Sequence, residues 1–580
     1  MTEPLQSATS SKQPGRNFFG ALAVFGERRV AIMLGLGFAA GLPNFLMGDT
    51  MSAWMRAVGL SLSAISLFSL ATLPYSFKFL WAPVVDRAAL PVLTRWLGHR
   101  RSWMVATQMA IVAGLLAVML IDPARQLGLM ALFAVFTVFA SATQDIVIDA
   151  WRIEAADVSR QGAMAAAYQW GYRLANVAAG ALAFVVAKRF GWHAAYAVMA
   201  VLMTLGLLAA MAAPREQAHA VRHIETGGLS ASPLLELGEW TVRLVLMLAG
   251  ALLLGSGLGA RADLIAGVVR LAGAPEAADL LQKAWTAKPN GVWLQLISVL
   301  AGFAVIAVAA SPIPGLKTRP GVYLFHALGD PLADFFNRFG RQALLILALI
   351  CLYRVSDFVL NIMNAFYLDL GFDLDTIAKI RKVFGLIASL VGVFIGGLSV
   401  ARLGVMRSLV IGAFALPITN TVFGWLAVQG PSSQALLVAI GLDNIVSAYA
   451  GTCLIAYMSS LTSVGFTATQ YALFSSLYSL PGKLIASQSG RIVETAAQAS
   501  EGNGPLSALR GLFAHTPPQA FASAMAKSHV DPSALGAGYV VFFLYSGLVG
   551  VAAMILAVLV SRLKPPRAED PAQTAAETLA

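Results

Sequence analysis

Long apolar runs, repeated along the whole chain and parted by short polar connections, constrain this sequence more than any other feature. About 20 apolar residues in a helix cross the hydrocarbon of a bilayer. There, every backbone polar group must find its partner within the segment, which selects helices. The runs lie at Val30–Gly48 and then roughly at 62–85, 102–121, 127–151, 162–187 and 192–212. A polar stretch (213–239) precedes two further candidates near 240–260 and 291–311, separated by Arg261–Asn290. After the polar segment Ser311–Gly340 come 342–368, 376–400, 405–427, 432–459, 467–489 and 537–562. The expectation is an all-α polytopic bundle of about 14 spans. It divides into a tail (1–29), a six-helix half (30–212), a linker with an inserted pair (213–341), a second six-helix half (342–562, with an outer loop at 491–536) and a tail (563–580). A soluble domain is excluded by charge: 12% of residues are charged, against about a quarter in soluble domains.

The surplus of basic residues fits this threading. The chain has 40 Lys+Arg and 29 Asp+Glu, a net charge of +11. With the N-terminus in the cytoplasm, Arg87, Arg95, Arg100 and Arg101, then Arg152 and Arg160, Arg215 and Arg222, Lys317 and Arg319, and Arg402 and Arg407 all fall in cytoplasmic connections. The tail adds Arg562, Lys564 and Arg567. This is the positive-inside pattern, and a count shifted by one helix would invert it. No basic reading patch for nucleic acid is present, so no nucleic-acid partner is expected. Arg28 and Arg29 before the first run, with no cleavage site after it, read as an uncleaved signal anchor. Cys351 and Cys453 are far apart inside apolar runs, with no disulfide framework or metal-ligand spacing. Neither a Walker loop, a Ser/His/Asp arrangement nor HExxH occurs, so neither an enzyme nor a cofactor or metal site is expected.

Ionisable groups inside membrane helices are costly and face a bundle interior or a water-filled path. In the fourth run, Asp145 and Asp149 share one face at i,i+4, beside Gln144 and one turn before Arg152. Two carboxylates on one partly dehydrated face suit proton coupling or substrate binding. Alternatively Asp149 closes a cytoplasmic gate with arginines of the connection that carries Asp86. Gln169, Tyr172, Arg173 and Asn176 form one polar stripe on the fifth run. Arg173 suits an anionic substrate or a pairing with Asp145. Lys78 is either a cavity cation or a snorkelling interfacial one. In the second half, Arg354, Asp357, Asn361 and Asn364 repeat the stripe, with an Arg354–Asp357 pair as the plain alternative. Asn420 and Asp443-Asn444 lie mid-helix. These amides, with Tyr168, Trp170, Tyr449 and Tyr457, suit hydrogen bonding and stacking to a sugar. Lys379, Arg381 and Lys382 either attract anions or answer Asp369, Asp373 and Asp375. The loop after Arg491 holds Pro517-Pro518 and a candidate surface helix near 519–527.

The two halves carry matching turns: Asp86-Arg87 followed by Gly98-His99-Arg100-Arg101, and Gly396-Gly397 followed by Arg402-Leu403-Gly404-Val405-Met406-Arg407. Parallel repeats of this kind build the major facilitator superfamily. The first loop resembles that superfamily's Gly/Asp/Arg signature, with about ten extra residues, and the second lacks the aspartate. Leu36–Pro43, Phe77–Pro83, Gln144–Trp151, Gly171–Leu174 and Gly465–Leu473 make the chain similar to the AmpG-type muropeptide permeases. The resemblance implies a proton-coupled importer of anhydro-muropeptides for peptidoglycan recycling, and a part in beta-lactamase induction. It implies an anionic glycopeptide and protons as partners, in a multi-pass protein of the bacterial inner membrane with both termini cytoplasmic, acting as a monomer among membrane lipids. Acetyl-CoA transporters share a similar helix-four string, so another polar anion such as acetyl-CoA or a small peptide is the alternative cargo. A non-transporting membrane sensor or scaffold is the third reading.

Overall fold

A computed structural model describes residues 26–58, 72, 74–157, 160–214, 233–258, 262–287, 291–311, 313, 318–373, 376–377, 379–463, 465–486, 489–522 and 529–563. Arg215, Arg222, Lys317, Lys564, Arg567 and the first part of the second apolar run (62–71, with 73) lie outside them, as do the side chains of Asn361, Asn364 and Lys382. The described chain is helical. The first half comprises α1 (Arg28–Phe45), α2 (Ala82–Arg87), α3 (His99–Met119), α4 (Leu127–Glu154), α5 (Gln161–Val177) and α6 (Ala183–Ala212). The insert is α7 (Pro233–Leu258) and α8 (Gly291–Ala310). The chain continues through α9 (Arg319–Phe339), α10 (Gln342–Leu352), α11 (Gly385–Leu403), α12 (Val405–Gln429), α13 (Ser433–Ser460), α14 (Thr467–Ala486), α15 (Ser489–Ser500) and α16 (Pro532–Ser561). Among the described residues, 10 helices are long and apolar enough to cross a membrane, or up to 11 with one bent pair. One of those ten, Gln161–Ala212, is 52 residues long and turns at Gly191 (φ 85°), so it is two spans joined by a glycine.

Several polar connections between the apolar runs are helical. Arg261–Asn290 contains two short helices, Asp263–Leu271 and Pro275–Thr286. Ser311–Gly340 contains α9, an amphipathic helix capped by Thr318 Oγ1, which accepts from the Gly321 amide at 3.2 Å. The outer loop opens with α15, whose Val493 and Ala497 join the core of the second half. Its small residues let α15 lie against the start of α16, and that burial makes a polar-looking segment helical. Of the candidate surface helix, Gln519–Ala522 is a turn, and 523–528 lie outside the described residues.

The repeat is visible in backbone conformation. Gly98 (φ 87°, ψ 172°) begins α3 and Gly404 (φ 88°, ψ 163°) begins α12. Both occupy a region essentially reserved for glycine, at equivalent turns of the two halves.

Apolar clusters show how the halves meet. One lines the far end of the first half alone, and another the far end of the second half alone. At the end bearing the α2–α3 connection, Ala468 and Ala472 of α14 join the core of the first half, and Ile153 packs against that of the second. Among the described residues, then, the apolar seam is closed at this gate end.

Backbone-to-backbone packing sets side-chain positions. A Cβ at Gly171 would meet the Leu34 carbonyl and stand 2.6 Å from the Phe38 nitrogen, so α1 and α5 touch main chain to main chain. Gly171→Ala is expected to cost about 1–3 kcal/mol by overpacking. Gly329→Ala, on α9 with open space around it, is expected to be neutral or slightly stabilising. Thermal unfolding in detergent checks both; an unshifted Gly171→Ala midpoint would refute the close packing.

Candidate functional site

Two interrupted helices present the charges of the site. Before α2 the chain makes a single turn at Pro74–Phe77 and a 3-10 turn at Lys78–Leu80. Pro74 and Pro83 remove two backbone donors here, where a regular helix would need them. Side chains from α4 hold the interrupted segment: Tyr75 donates to Ser141 Oγ at 2.8 Å and Trp81 Nε1 to Thr143 Oγ1 at 3.0 Å. The seventh span was expected as one helix over 342–368, but it breaks at Tyr353-Arg354 and again at Leu360–Ile362. Asn420 Nδ2 donates to the Ser356 carbonyl at 3.0 Å and Tyr353 donates to the Leu409 carbonyl at 2.9 Å. Thus α12 braces the break that carries Arg354.

Between the halves lies a cavity of about 320 Å³. The first half contributes Lys78, Asp145, Asp149, Tyr168, Gln169 and Tyr172; the second contributes Arg354, Tyr471, Ser475, Tyr478 and the face of α13 around Gly451 and Met458. Seven residues singled out from sequence therefore meet here: Lys78, Asp145, Asp149, Tyr168, Gln169, Tyr172 and Arg354. Their charges are unequally satisfied. Asp149 lies between Lys78 (Nζ–Oδ2 3.7 Å) and Arg152 (Nη2–Oδ1 3.3 Å). Arg354 pairs with Asp357, and Ser447 bonds both of them, at 2.9 and 2.8 Å. Among the described residues, Asp145 Oδ1 is buried without a hydrogen-bond partner, as are both amide atoms of Gln144. Lys78 and Asp149 are the charged groups that act on Asp145.

The remaining expectations fall elsewhere. No ion pair joins Asp145 to Arg173 among the described residues; Arg173 Nε is buried without a partner, and its charged neighbour is Arg354 across the seam. Asn176 is exposed. Asn444 ties α13 to α11, accepting from Ser389 Oγ at 2.9 Å. Asn420 and Asn444 are thus braces.

The gate end differs from its sequence reading. Asp149 does not meet the α2–α3 arginines. Asp86 does: Arg100 Nη2 donates to Asp86 Oδ1 at 2.9 Å and to Glu154 Oε1 at 2.6 Å. Asp86 also accepts from the amides of Ala468 (3.2 Å) and Thr469 (2.9 Å) and from Thr469 Oγ1 (2.7 Å). It therefore caps the first turn of α14, in the other half, where exposed amides and the helix dipole favour an anion. Arg152 makes the second cross-link. It donates to Ser459 Oγ at 2.7 Å and lies 5.0 Å over the Tyr471 ring. Trp170 Nε1 donates to the Leu390 carbonyl at 3.0 Å on the α5–α11 side. Glu154, Ser459 and Thr469 were missed because their partners are remote in sequence. Tyr471, Ser475 and Tyr478 left a signal, an i, i+4, i+7 stripe.

Comparison with known proteins places this geometry. A family model described as "Acetyl-coenzyme A transporter 1" matches residues 30–124. The "Anhydromuropeptide permease" of Escherichia coli (strain K12) is 29% identical over 476 residues, 82% of this chain and 76% of that one. "Putative transporter AmpG 4" of Rickettsia conorii is 26% identical over 473 residues, 81% of this chain and 91% of that one. Among solved structures, the proton:xylose symporter XylE aligns over 94% of this chain and 97% of its own, with a TM-score of 0.51 at 11% identity. The chain is a multi-pass all-α membrane protein with the major facilitator fold, and over most of its length it is homologous to proteins named anhydromuropeptide permease and AmpG.

Proposed function

We propose that this protein imports anhydro-muropeptides across the bacterial inner membrane, with N- and C-termini cytoplasmic, and couples their entry to protons. The observation that carries the reading is the mixed lining of the cavity, supported by the permease relatives. Four tyrosines, Tyr168, Tyr172, Tyr471 and Tyr478, offer faces for sugar rings and hydroxyls for their oxygens. Lys78 and Arg354, with Arg173 beside Arg354, supply cations for the carboxylates of a stem peptide. At about 320 Å³ the cavity is at the small end of ligand sites. It therefore takes the saccharide portion, with the peptide directed to the far end, where the apolar clusters of the two halves stay separate.

Transport follows from differential stability of the seam. In the described state the gate end is held by the Asp86 cap and the Arg152–Ser459 bond. Asp145 is the carboxylate at the cavity without an ion pair among the described residues, so protonation there removes an uncompensated charge without breaking a salt bridge. Opening the gate end then exposes cavity and cargo to the cytoplasm. Acetyl-CoA is the second reading, favoured by the match over residues 30–124. That match ends before α4 and so before Asp145.

Labelled N-acetylglucosaminyl-1,6-anhydro-N-acetylmuramyl peptide is expected to accumulate in vesicles under an inward proton gradient, and excess acetyl-CoA to compete poorly. No uptake, or equal competition, sinks the muropeptide reading. Asp145→Asn is expected to reduce gradient-driven accumulation at least about tenfold, which is 1.4 kcal/mol of lost coupling; wild-type accumulation in that variant removes Asp145 from the proton path. At the gate, Asp86→Asn weakens charge-assisted bonds worth about 1.5–3 kcal/mol each. Labelling of an Ala472→Cys reporter by an impermeant maleimide from the cytoplasmic side, in a background lacking Cys351 and Cys453, is expected to quicken about tenfold or more. An unchanged labelling rate would show that Asp86 does not hold the gate.

A further inference from the structure

The charges of the second half carry an inference that the cavity alone does not. Asp443 stands on α13 and makes no hydrogen bond or ion pair among the described residues, and its Oδ1 is sealed from solvent. One turn along the same face is Ser447, which bonds Asp357 Oδ2 and Arg354. Further turns bring Gly451, Leu454 and Met458 of the cavity wall. So Asp443 lies on the cavity stripe of α13, behind the Arg354–Asp357 pair.

Among the described residues, the surroundings of Asp443 leave its carboxylate without a direct partner. Asp357, on the seventh span, is already taken by Arg354 and Ser447. The charged groups acting on Asp443 are Asp357, Arg354 and Arg381. Arg381 and its neighbour Lys379 stand before α11 with exposed side chains, and the Tyr367 phenol also faces Asp443. Among the described residues, two carboxylates thus share the half-buried Arg354 guanidinium, and one of the two lacks a direct partner. The first half shows the same division: Asp149 takes both Lys78 and Arg152, and Asp145 takes neither.

Depth separates the two spare carboxylates. Both α4 and α13 are 28 residues long and end at the gate. Asp145 lies 18 residues after the start of α4 at Leu127, and Asp443 lies 10 residues after the start of α13 at Ser433. Eight residues of helix rise about 12 Å, so Asp443 is nearer the far end.

We propose that Asp443 is a second proton-binding site, the outer acceptor that a proton from the far side reaches before Asp145. The proton moves from water to an Asp443 carboxylate oxygen and leaves through water or hydroxyls along the Ser447–Asp357 face towards the cavity; no bond other than O–H is made or broken. A role in uptake rests on the transport reading above, whereas proton binding itself does not.

The test therefore has a cargo-free arm. Infrared difference spectra of the purified full chain in lipid, recorded between high and low pH without substrate, are expected to show a protonated-carboxyl band. Asp443→Asn should remove one component of that band, distinct from the component lost in Asp145→Asn. Asp443→Asn should also flatten the dependence of initial uptake on outer pH and lower accumulation at least tenfold, with Asp443→Glu restoring both. A band unchanged in Asp443→Asn overturns the proposal whatever the cargo, as does an unaltered pH profile of uptake in that variant. If the Asp443 component is lost but wild-type protein carries no muropeptide, the site stands and the cargo reading falls.

Discussion

A charge in hydrocarbon must be paired or hydrated, and the interior of this bundle is arranged around that requirement. Taking an ion from water costs several kcal/mol even after relaxation, and removing one member of a buried pair costs about 3–5 kcal/mol. The ionisable groups of α2, α4, α13 and the seventh span are accordingly gathered at the boundary between the halves. Where the boundary closes, they are saturated: Asp86 has four donors, from Arg100, two amides of α14 and the Thr469 hydroxyl. Where it opens into a cavity, Asp145 keeps a buried oxygen, and Arg173 outside the lining a buried nitrogen, without a partner among the described residues. A bundle that only needed to be stable would not leave such atoms at its centre.

The interrupted helices follow from the same requirement. A regular helix satisfies its own backbone but offers few positions from which a long side chain can reach a central cavity. Breaking the helix before α2 brings Lys78 to Asp149, and the freed segment is tied down by Tyr75–Ser141 and Trp81–Thr143. Breaking the seventh span brings Arg354 to the cavity, and Asn420 answers the loosened Ser356 carbonyl. Local irregularity is tolerated at membrane depth where protein, not lipid, surrounds it.

What could be seen in the sequence divides along the range of the interaction. Apolar period and length are local, so the bundle, its spans and the repeated glycine turns were legible. The Asp145–Asp149 face and the Tyr172 stripe were legible because helical spacing alone brings their members together. Asp86 at Thr469 joins residues 383 apart, and no periodicity encodes that. Asn420 and Asn444 looked like ligand groups because an intramembrane amide always needs a partner. The structure shows that the partners are a broken helix and a neighbouring one.

The inserted pair illustrates how a segment without an evident role is energetically joined to the site. Leu254 of α7 and Val299 and Ile306 of α8 form one cluster with Phe77, one residue before Lys78. At the gate end, Glu239 of α7 accepts from Thr318 at 2.6 Å, and Glu236 pairs with Arg319 at 3.6 Å, both at the start of α9. Farther along α9, Asp334 accepts from Ser463 and from Gln470 at 2.8 Å each, and Arg338 donates to the Leu461 carbonyl at 2.9 Å. A continuous path of packed and hydrogen-bonded groups thus runs from the broken segment before α2, through the insert and α9, to the first turn of α14. It spans the contact that Asp86 makes directly. Separating α2 from α14 must therefore shear the Phe77 cluster or bend the connection at Thr318, and the insert adds its own resistance to that of the cap.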